Sequence, residues 1–264
     1  MSRRALVVVT LVGCSGLFAL LGSRYDVVQD DAYISLVYSQ SLVNGDGLVF
    51  NPGERVEGYT NFSWVMLLTV PHVFGIDAVA TARLLGVLCT AGLMLLSWRL
   101  SASLSTRPGD SAHLAAPCIL AANGALAFWT LSGMETAAFA LLITAGATRY
   151  LRSGVLDITT AILFGLATLT RPEGWMFFAL TAIHQMICLL WTPGGRHAAL
   201  RQAWRRMLAL AAFVGTVLPH LLFRWSYYGH LLPNTFYAKT GISLTYVTHG
   251  LRYTGKFLVD YGLW

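Results

Sequence analysis

The apolar segments decide what this chain can fold into. Runs near 5–22, 78–98, 113–131, 136–150, 155–170, 174–191 and 207–224 reach or approach the about 20 residues a helix needs to cross a bilayer. Hydrophobic residues make up 56% and charged residues 11% of the sequence, where soluble domains carry roughly 25% charged. The expectation is an all-α polytopic membrane protein: one transmembrane helical bundle over 1–264, with bilayer lipid as its solvent. The net charge of +6 is scattered between apolar runs rather than gathered in a stripe, which argues against nucleic acid as a partner.

Arginines set the orientation. Arg3 and Arg4 hold the first helix, read over 5–22, with its start in the cytoplasm. The basic residues, apolar core and Leu11-Val12-Gly13-Cys14 also resemble a lipoprotein signal, but the apolar run continues to Gly22, so an uncleaved helix is expected. Segment 62–75 is apolar but short for a span, and suits a helix lying at the interface. On that reading the inner loops collect Arg3, Arg4, Arg99, Arg107, Arg149, Arg152, Arg196, Arg201, Arg205 and Arg206, against two acids, Asp110 and Asp157. Reading 62–75 as a span would put RHAALRQAWRR outside, against the positive-inside rule. Cys14, Cys89, Cys118 and Cys188 show no CxxC spacing and read as small buried hydrophobes.

The same topology gathers four polar stretches on the outer face. The longest is the first loop, 23–77, whose part 26–61 holds six of the 12 acidic residues: Asp26, Asp30, Asp31, Asp46, Glu54 and Glu57. Asp30 or Asp31 is expected to cap a helix with Ile34, Val37, Tyr38 and Leu42 at helical spacing. Asn44-Gly45 ends that helix, 48–51 reads as a short strand, and Asn51-Pro52-Gly53-Glu54 as a turn. The other outer stretches are Ser132-Gly133-Met134-Glu135-Thr136, Thr170-Arg171-Pro172-Glu173-Gly174, and 227–241.

Ionisable groups beside hydrocarbon are costly unless something uses them, so the acidic loop is the candidate site. Asp30 and Asp31 point about 100° apart on a helix; one serves as general base, or both merely cap and face water. Arg171 and Glu173 form either a mutual ion pair or an anion site in which the guanidinium grips phosphate oxygens. Lys239 can neutralise a phosphate leaving group while Asn234 and Tyr237 bind sugar hydroxyls, unless these residues form an ordinary interfacial belt. Glu57, Tyr59, Asn61, Glu135 and His230 complete the substrate-binding candidates. For Glu135 the alternative is a helix-dipole role, and for His230 an exposed structural one. Asp30, Asp31 and Glu57 offer oxygen ligands to a possible divalent cation, at unspecific spacing. Asn61-Phe62-Ser63 matches a glycosylation sequon and reads as chance. The sequence has no Gly-rich phosphate loop, HExxH or nucleophile elbow, so a membrane enzyme drawing its substrate from lipid fits better than an ATP-driven machine.

Asp30-Asp31-Ala32-Tyr33-Ile34, followed by Gly47-Leu48-Val49-Phe50-Asn51-Pro52-Gly53-Glu54-Arg55-Val56-Glu57-Gly58-Tyr59-Thr60-Asn61, resembles the first outer loop of the actinobacterial terminal β-(1→2)-arabinofuranosyltransferases. Ser132-Gly133-Met134-Glu135, Arg171-Pro172-Glu173-Gly174 and Leu232-Pro233-Asn234-Thr235-Phe236-Tyr237-Ala238-Lys239 resemble that family's patterns in the same order. The resemblance covers nearly the whole chain. It implies a GT-C glycosyltransferase bundle with interfacial helices in an acidic first loop, in the plasma membrane with its site on the outer face. It further implies a polyprenyl-phosphate donor (decaprenyl-phosphoryl-arabinofuranose), a cell-wall polysaccharide acceptor, and a catalytic aspartate at the position of Asp30 or Asp31. Family members are much longer, with further spans and an outer domain, so the chain reads as an N-terminal part, and 256–264 as the opening of another membrane segment.

The expected reaction is inverting sugar transfer, with an aspartate as base and cations such as Arg171 and Lys239 on the departing phosphate. Another GT-C transferase, such as a mannosyltransferase, shares these features. A non-enzymatic transporter or assembly factor is the reading from a different class.

Overall fold

The computed structural model describes residues 3–24, 28–104, 112–191, 196–239 and 244–260, and every regular element among them is helical. In chain order these are α1 (Arg3–Gly22), α2 (Asp30–Asn44), α3 (Phe62–Val73) and α4 (Ala78–Leu104). After a 3-10 turn at Ala112–Leu114 come α5 (Ala115–Ala121), α6 (Gly124–Leu131), α7 (Thr136–Ser153) and α8 (Ile158–Thr170). The remainder are α9 (Gly174–Trp191), α10 (Arg196–Tyr228), α11 (Asn234–Lys239) and α12 (Leu244–Asp260). Asp26 lies outside the described residues, as do Arg107, Asp110 and the side chain of Lys239.

Among the described residues two helices are long and apolar enough to cross a membrane, α4 and the Ala203–Tyr228 part of α10; the α5–α6 pair makes a third if it counts as one broken span. Among the described residues fewer elements reach span length than the seven apolar runs imply. Val12–Gly22, Phe62–Val73, Ile158–Thr170 and Gly174–Cys188 are shorter apolar helices. The single helix expected over 113–131 is bent by 56°. The cause is Asn123, whose side chain accepts from the Leu126 N–H at 2.9 Å and starts a new helix, a capping role for which Asn is favoured.

Three other expectations give way. The strand at 48–51 is absent, the segment being turns and bends. RHAALRQAWRR is the start of α10 rather than a loop, because Ala, Leu, Arg and Gln are strong helix formers. The expected membrane segment at 256–264 is, as far as it is described, the last turn of α12, which is exposed throughout and not apolar enough to count as a span. Cys14 is buried and Cys89 half-buried as expected, but Cys118 and Cys188 are exposed.

The core sits where α8 packs against both α7 and α10, and where α7 meets α4. Phe164 on α8, Phe178 on α9 and Tyr150 on α7 are buried in one cluster. The first loop is folded onto one end of this bundle. There α3 lays Trp64 and Leu68 against Leu36 of α2 and Ala78 and Ala82 of α4.

Candidate active site

Helix α2 presents one face to the rest of its own loop. Asp31, Ser35 and Tyr38 follow the i, i+4, i+7 spacing that aligns side chains on a helix. The Tyr38 hydroxyl donates to the Val56 carbonyl at 2.6 Å and accepts from the Gly58 N–H at 2.7 Å. Asn61 Nδ2 donates to Ser35 Oγ at 2.9 Å, and Ser35 Oγ lies 3.2 Å from Asn61 Oδ1. The 56–61 segment is thereby stapled to α2. The expected aspartate cap is not formed: Gln29 holds the cap position without a side-chain bond, and Asp30 and Asp31 lie inside the first turn. Gly45 ends α2 in the left-handed region, at φ 90°, as read from the sequence.

The 132–135 turn closes over the start of α2. Gln29 N–H donates to the Ser132 carbonyl at 3.0 Å, and Trp64 Nε1 donates to the Gly133 carbonyl at 3.0 Å. Gly133 has φ +83°, and a Cβ there would stand 3.2 Å from that of Ala32. Gly133→Ala is expected to lower stability by about 1–2 kcal/mol, the cost of a left-handed alanine, read as a drop in thermal midpoint.

A buried polar chain leads outward from this point. Asn61 Nδ2 also donates to Glu135 Oε2 at 2.7 Å, and Arg171 Nη1 donates to Glu135 Oε1 at 3.1 Å. Arg171 Nη2 lies 3.5 Å from Glu173 on the surface. Glu135 holds the N-cap position of α7 without a side-chain cap bond, its carboxylate turned inward with both oxygens occupied. The expected free cation facing the aspartates is not provided by Arg171, whose charge is met by two carboxylates. The Asn61 amide is buried and committed, which closes the sequon.

A second anchor fixes the loop to the end of α10. Arg224 Nε donates to Glu57 Oε1 at 3.0 Å and lies 2.7 Å from Oε2, an off-line charge contact that leaves Oε2 without an aligned donor. Arg224 Nη1 donates to the Leu231 carbonyl at 3.2 Å, and the Asn234 N–H to the Glu57 carbonyl at 3.0 Å. Tyr59 stacks edge-on against Tyr38, and its hydroxyl lies 3.3 Å from that of Tyr228, which donates to the Leu48 carbonyl. Burial pushes the Tyr59 phenol well above its ordinary range. It also pushes the Glu57 carboxyl up to about 7, against the pull of Arg224. A raised acid favours the protonated fold. The stability Glu57 contributes should therefore be full below about pH 4.5 and lost as pH rises through about 7. Thermal midpoints measured across that window should show this slope in the wild type and lack it in Glu57→Gln.

Between the two anchors lies a cavity of about 140 Å³, lined by Asp31, Ile34, Ser35, Gly58, Tyr59, Thr60, Asn61, Met134, Glu135 and Thr235. A cavity of about 150 Å³ holds one benzene-sized ring. Its two carboxylates differ: Glu135 is buried and bonded, while Asp31 is exposed. Asp30, one residue back, does not line it.

Of the residues picked from the sequence, Asp31, Tyr59, Asn61 and Glu135 meet at the cavity, with Arg171 and Glu173 behind Glu135. Glu57 stands in the second anchor, and Asn234 reaches it through its backbone while its side chain is exposed. Tyr237 and His230 are exposed and face each other at 5.5 Å between ring centroids, outside the cavity. Asp30, Asp31 and Glu57 do not form the divalent-ion arrangement, because Glu57 is taken by Arg224. Among the described residues no three His, Cys, Asp or Glu side chains cluster as metal ligands. Sequence patterning does not single out Ser35, Thr60, Met134, Thr235 or Arg224. An arginine within an apolar run was the available signal, since such a charge is seldom left without a partner.

Fold and site together define a helical membrane protein with a carboxylate-bearing polar cavity in the loop after its first helix. Over 259 residues the chain is 31% identical to the terminal β-(1→2)-arabinofuranosyltransferase of Mycobacterium tuberculosis, covering 90% of this chain and 38% of that protein. It is 28% identical over 277 residues to the protein of the same name from Corynebacterium glutamicum, covering 95% of this chain and 38% of that one. The resemblance read from the motifs therefore extends along the chain as homology to named arabinofuranosyltransferases. The chain spans about two-fifths of the length of these curated relatives. No family model matches it, and no solved structure matches it.

Proposed function

We propose that the chain forms the catalytic-loop part of a membrane glycosyltransferase. It moves an arabinofuranosyl group from a polyprenyl-phosphate donor to a cell-wall polysaccharide, at the outer face of the plasma membrane. The observation that carries this reading is the exposed Asp31 carboxylate at a ring-sized polar cavity, in a chain whose relatives are named as arabinofuranosyltransferases. The arginines of the 149–152 and 205–206 segments, at the far ends of α7 and α10 from the cavity, support the orientation.

In the reaction Asp31 takes the proton of an acceptor hydroxyl as its oxygen attacks the anomeric carbon. The new C–O bond forms opposite the bond to phosphate, which breaks with its electron pair leaving on the lipid phosphate. Ser35, Thr60 and Thr235 offer hydroxyls to the sugar, and the Tyr59 ring and Met134 give it apolar walls. Glu135 and Arg171 act as positioning residues that hold Asn61. Lys239 supplies charge to the departing phosphate, an electrostatic role that is strong where water is excluded.

The test is transfer by the full-length protein from synthetic polyprenyl-phosphate arabinofuranose of each anomeric configuration, with the mannosyl analogue in parallel. Arabinofuranose transfer with little mannose transfer is expected, and single displacement requires a β product from an α-linked donor. Preference for the mannosyl donor would overturn the substrate. A β product from a β-linked donor would overturn the single displacement and make Asp31 a nucleophile.

A further inference from the structure

A second cavity, of about 400 Å³, lies between the α7–α8 turn and the beginning of the α10 span. Its walls include Ser153, Asp157, Ile158, Thr159, Arg205 and Leu208. Arg205 stands just inside the Ala203–Tyr228 span, about 28 Å along the helix axis from Arg224 at 1.5 Å per residue. This cavity is therefore separate from the catalytic one.

Its charge is unbalanced. The carboxylate of Asp157 is spent on Arg149, whose Nε and Nη2 reach it at 3.1 and 2.5 Å, and on the Thr160 N–H at 2.9 Å. Arg205 is exposed and has no ionic partner among the described residues. Arg152 is exposed on the last turn of α7, adding a second positive charge nearby. Ile158 and Leu208 give the same cavity apolar lining, and Ile158 is exposed. An unpaired guanidinium over an apolar groove, at the end of a membrane span, matches a ligand with a phosphate head and a hydrocarbon tail.

We propose that this cavity binds the phosphate headgroup of an anionic phospholipid. Arg205 grips the phosphate oxygens through its planar fork, the Thr159 hydroxyl adds a donor, and an acyl chain lies along Ile158 and Leu208. Basic pockets between membrane helices at the lipid–water boundary take such headgroups. Arg205 has no part in the sugar-transfer site, so the proposal stands apart from the catalytic reading.

The test uses the full-length protein in detergent, titrated separately with phosphatidylglycerol and phosphatidylcholine, with bound lipid counted by native mass spectrometry. The expected result is one phosphatidylglycerol held in preference to phosphatidylcholine and not displaced by millimolar inorganic phosphate. Its affinity should fall about fivefold in Arg205→Gln, the worth of one interfacial arginine, and stay unchanged in Arg99→Gln. Equal retention by wild type and Arg205→Gln, with both variants as helical as wild type by circular dichroism, would overturn the proposal. So would displacement by inorganic phosphate, which marks a free-anion site, or an equal loss in Arg99→Gln, which marks diffuse attraction.

Discussion

Asp31→Asn is expected to lower sugar transfer by about 10²–10⁴-fold, the range that a positioned general base contributes, while Asp30→Asn stays within a few-fold of wild type. The two residues share the first turn of α2 and complement its dipole alike, so either loss should change stability by well under about 1 kcal/mol. What separates them is direction. Successive side chains on a helix diverge by about 100°, and only Asp31 lies on the face that carries Ser35 and borders the cavity. The asparagine variants are nearly isosteric, keeping shape while removing the basic oxygen. The measurement is kcat for each variant with a fixed donor and acceptor, beside a thermal midpoint to confirm equal folding. Comparable losses in both variants, or a loss in Asp30→Asn alone, would remove Asp31 from the role of base.

Arg224→Met is the second large effect, and it acts on the fold. The substitution leaves Glu57 buried without its counter-charge and removes the bond to the Leu231 carbonyl. Breaking one half of a buried ion pair costs about 3–5 kcal/mol. Because burial already pushes Glu57 up to about 7, the orphaned carboxyl escapes part of that cost by taking a proton. The penalty should therefore be larger at pH 8 than at pH 6. Replacing both partners, as Glu57→Met with Arg224→Met, should recover much of the loss, since no charge then remains buried. Thermal midpoints of wild type, both single variants and the double variant at the two pH values give a coupling energy. A coupling near zero would mean that the pair does not hold the loop. Transfer should fall with stability in Arg224→Met, because the anchor sets where 58–61 and Thr235 border the cavity.

Much of this was legible in the chain itself. Apolar runs with few charges force helices, because backbone groups in lipid must bond within their own segment. The limits of α2 followed from its helical spacing and Asn44-Gly45, and α3 at 62–73 followed from an apolar run too short to span. The motifs that carry the homology, and the acidic first loop as a candidate site, are residue types in a fixed order. Asn123-Gly124 carried a break signal that the long apolar run around it hid.

Pairing between distant segments was not legible. Whether Arg171 meets a phosphate or a carboxylate depends on Glu135, 36 positions earlier, and whether Glu57 can serve a metal depends on Arg224, 167 positions later. Local sequence sets which residues are polar and which helix face they share, because those depend on neighbours three or four positions away. Which charges neutralise one another, and so which carboxylate stays free beside the cavity, depends on how α7, α8 and α10 pack around the loop. In this protein composition fixed a helical membrane bundle with an acidic loop, and tertiary packing left Asp31 as the unpaired carboxylate at the cavity.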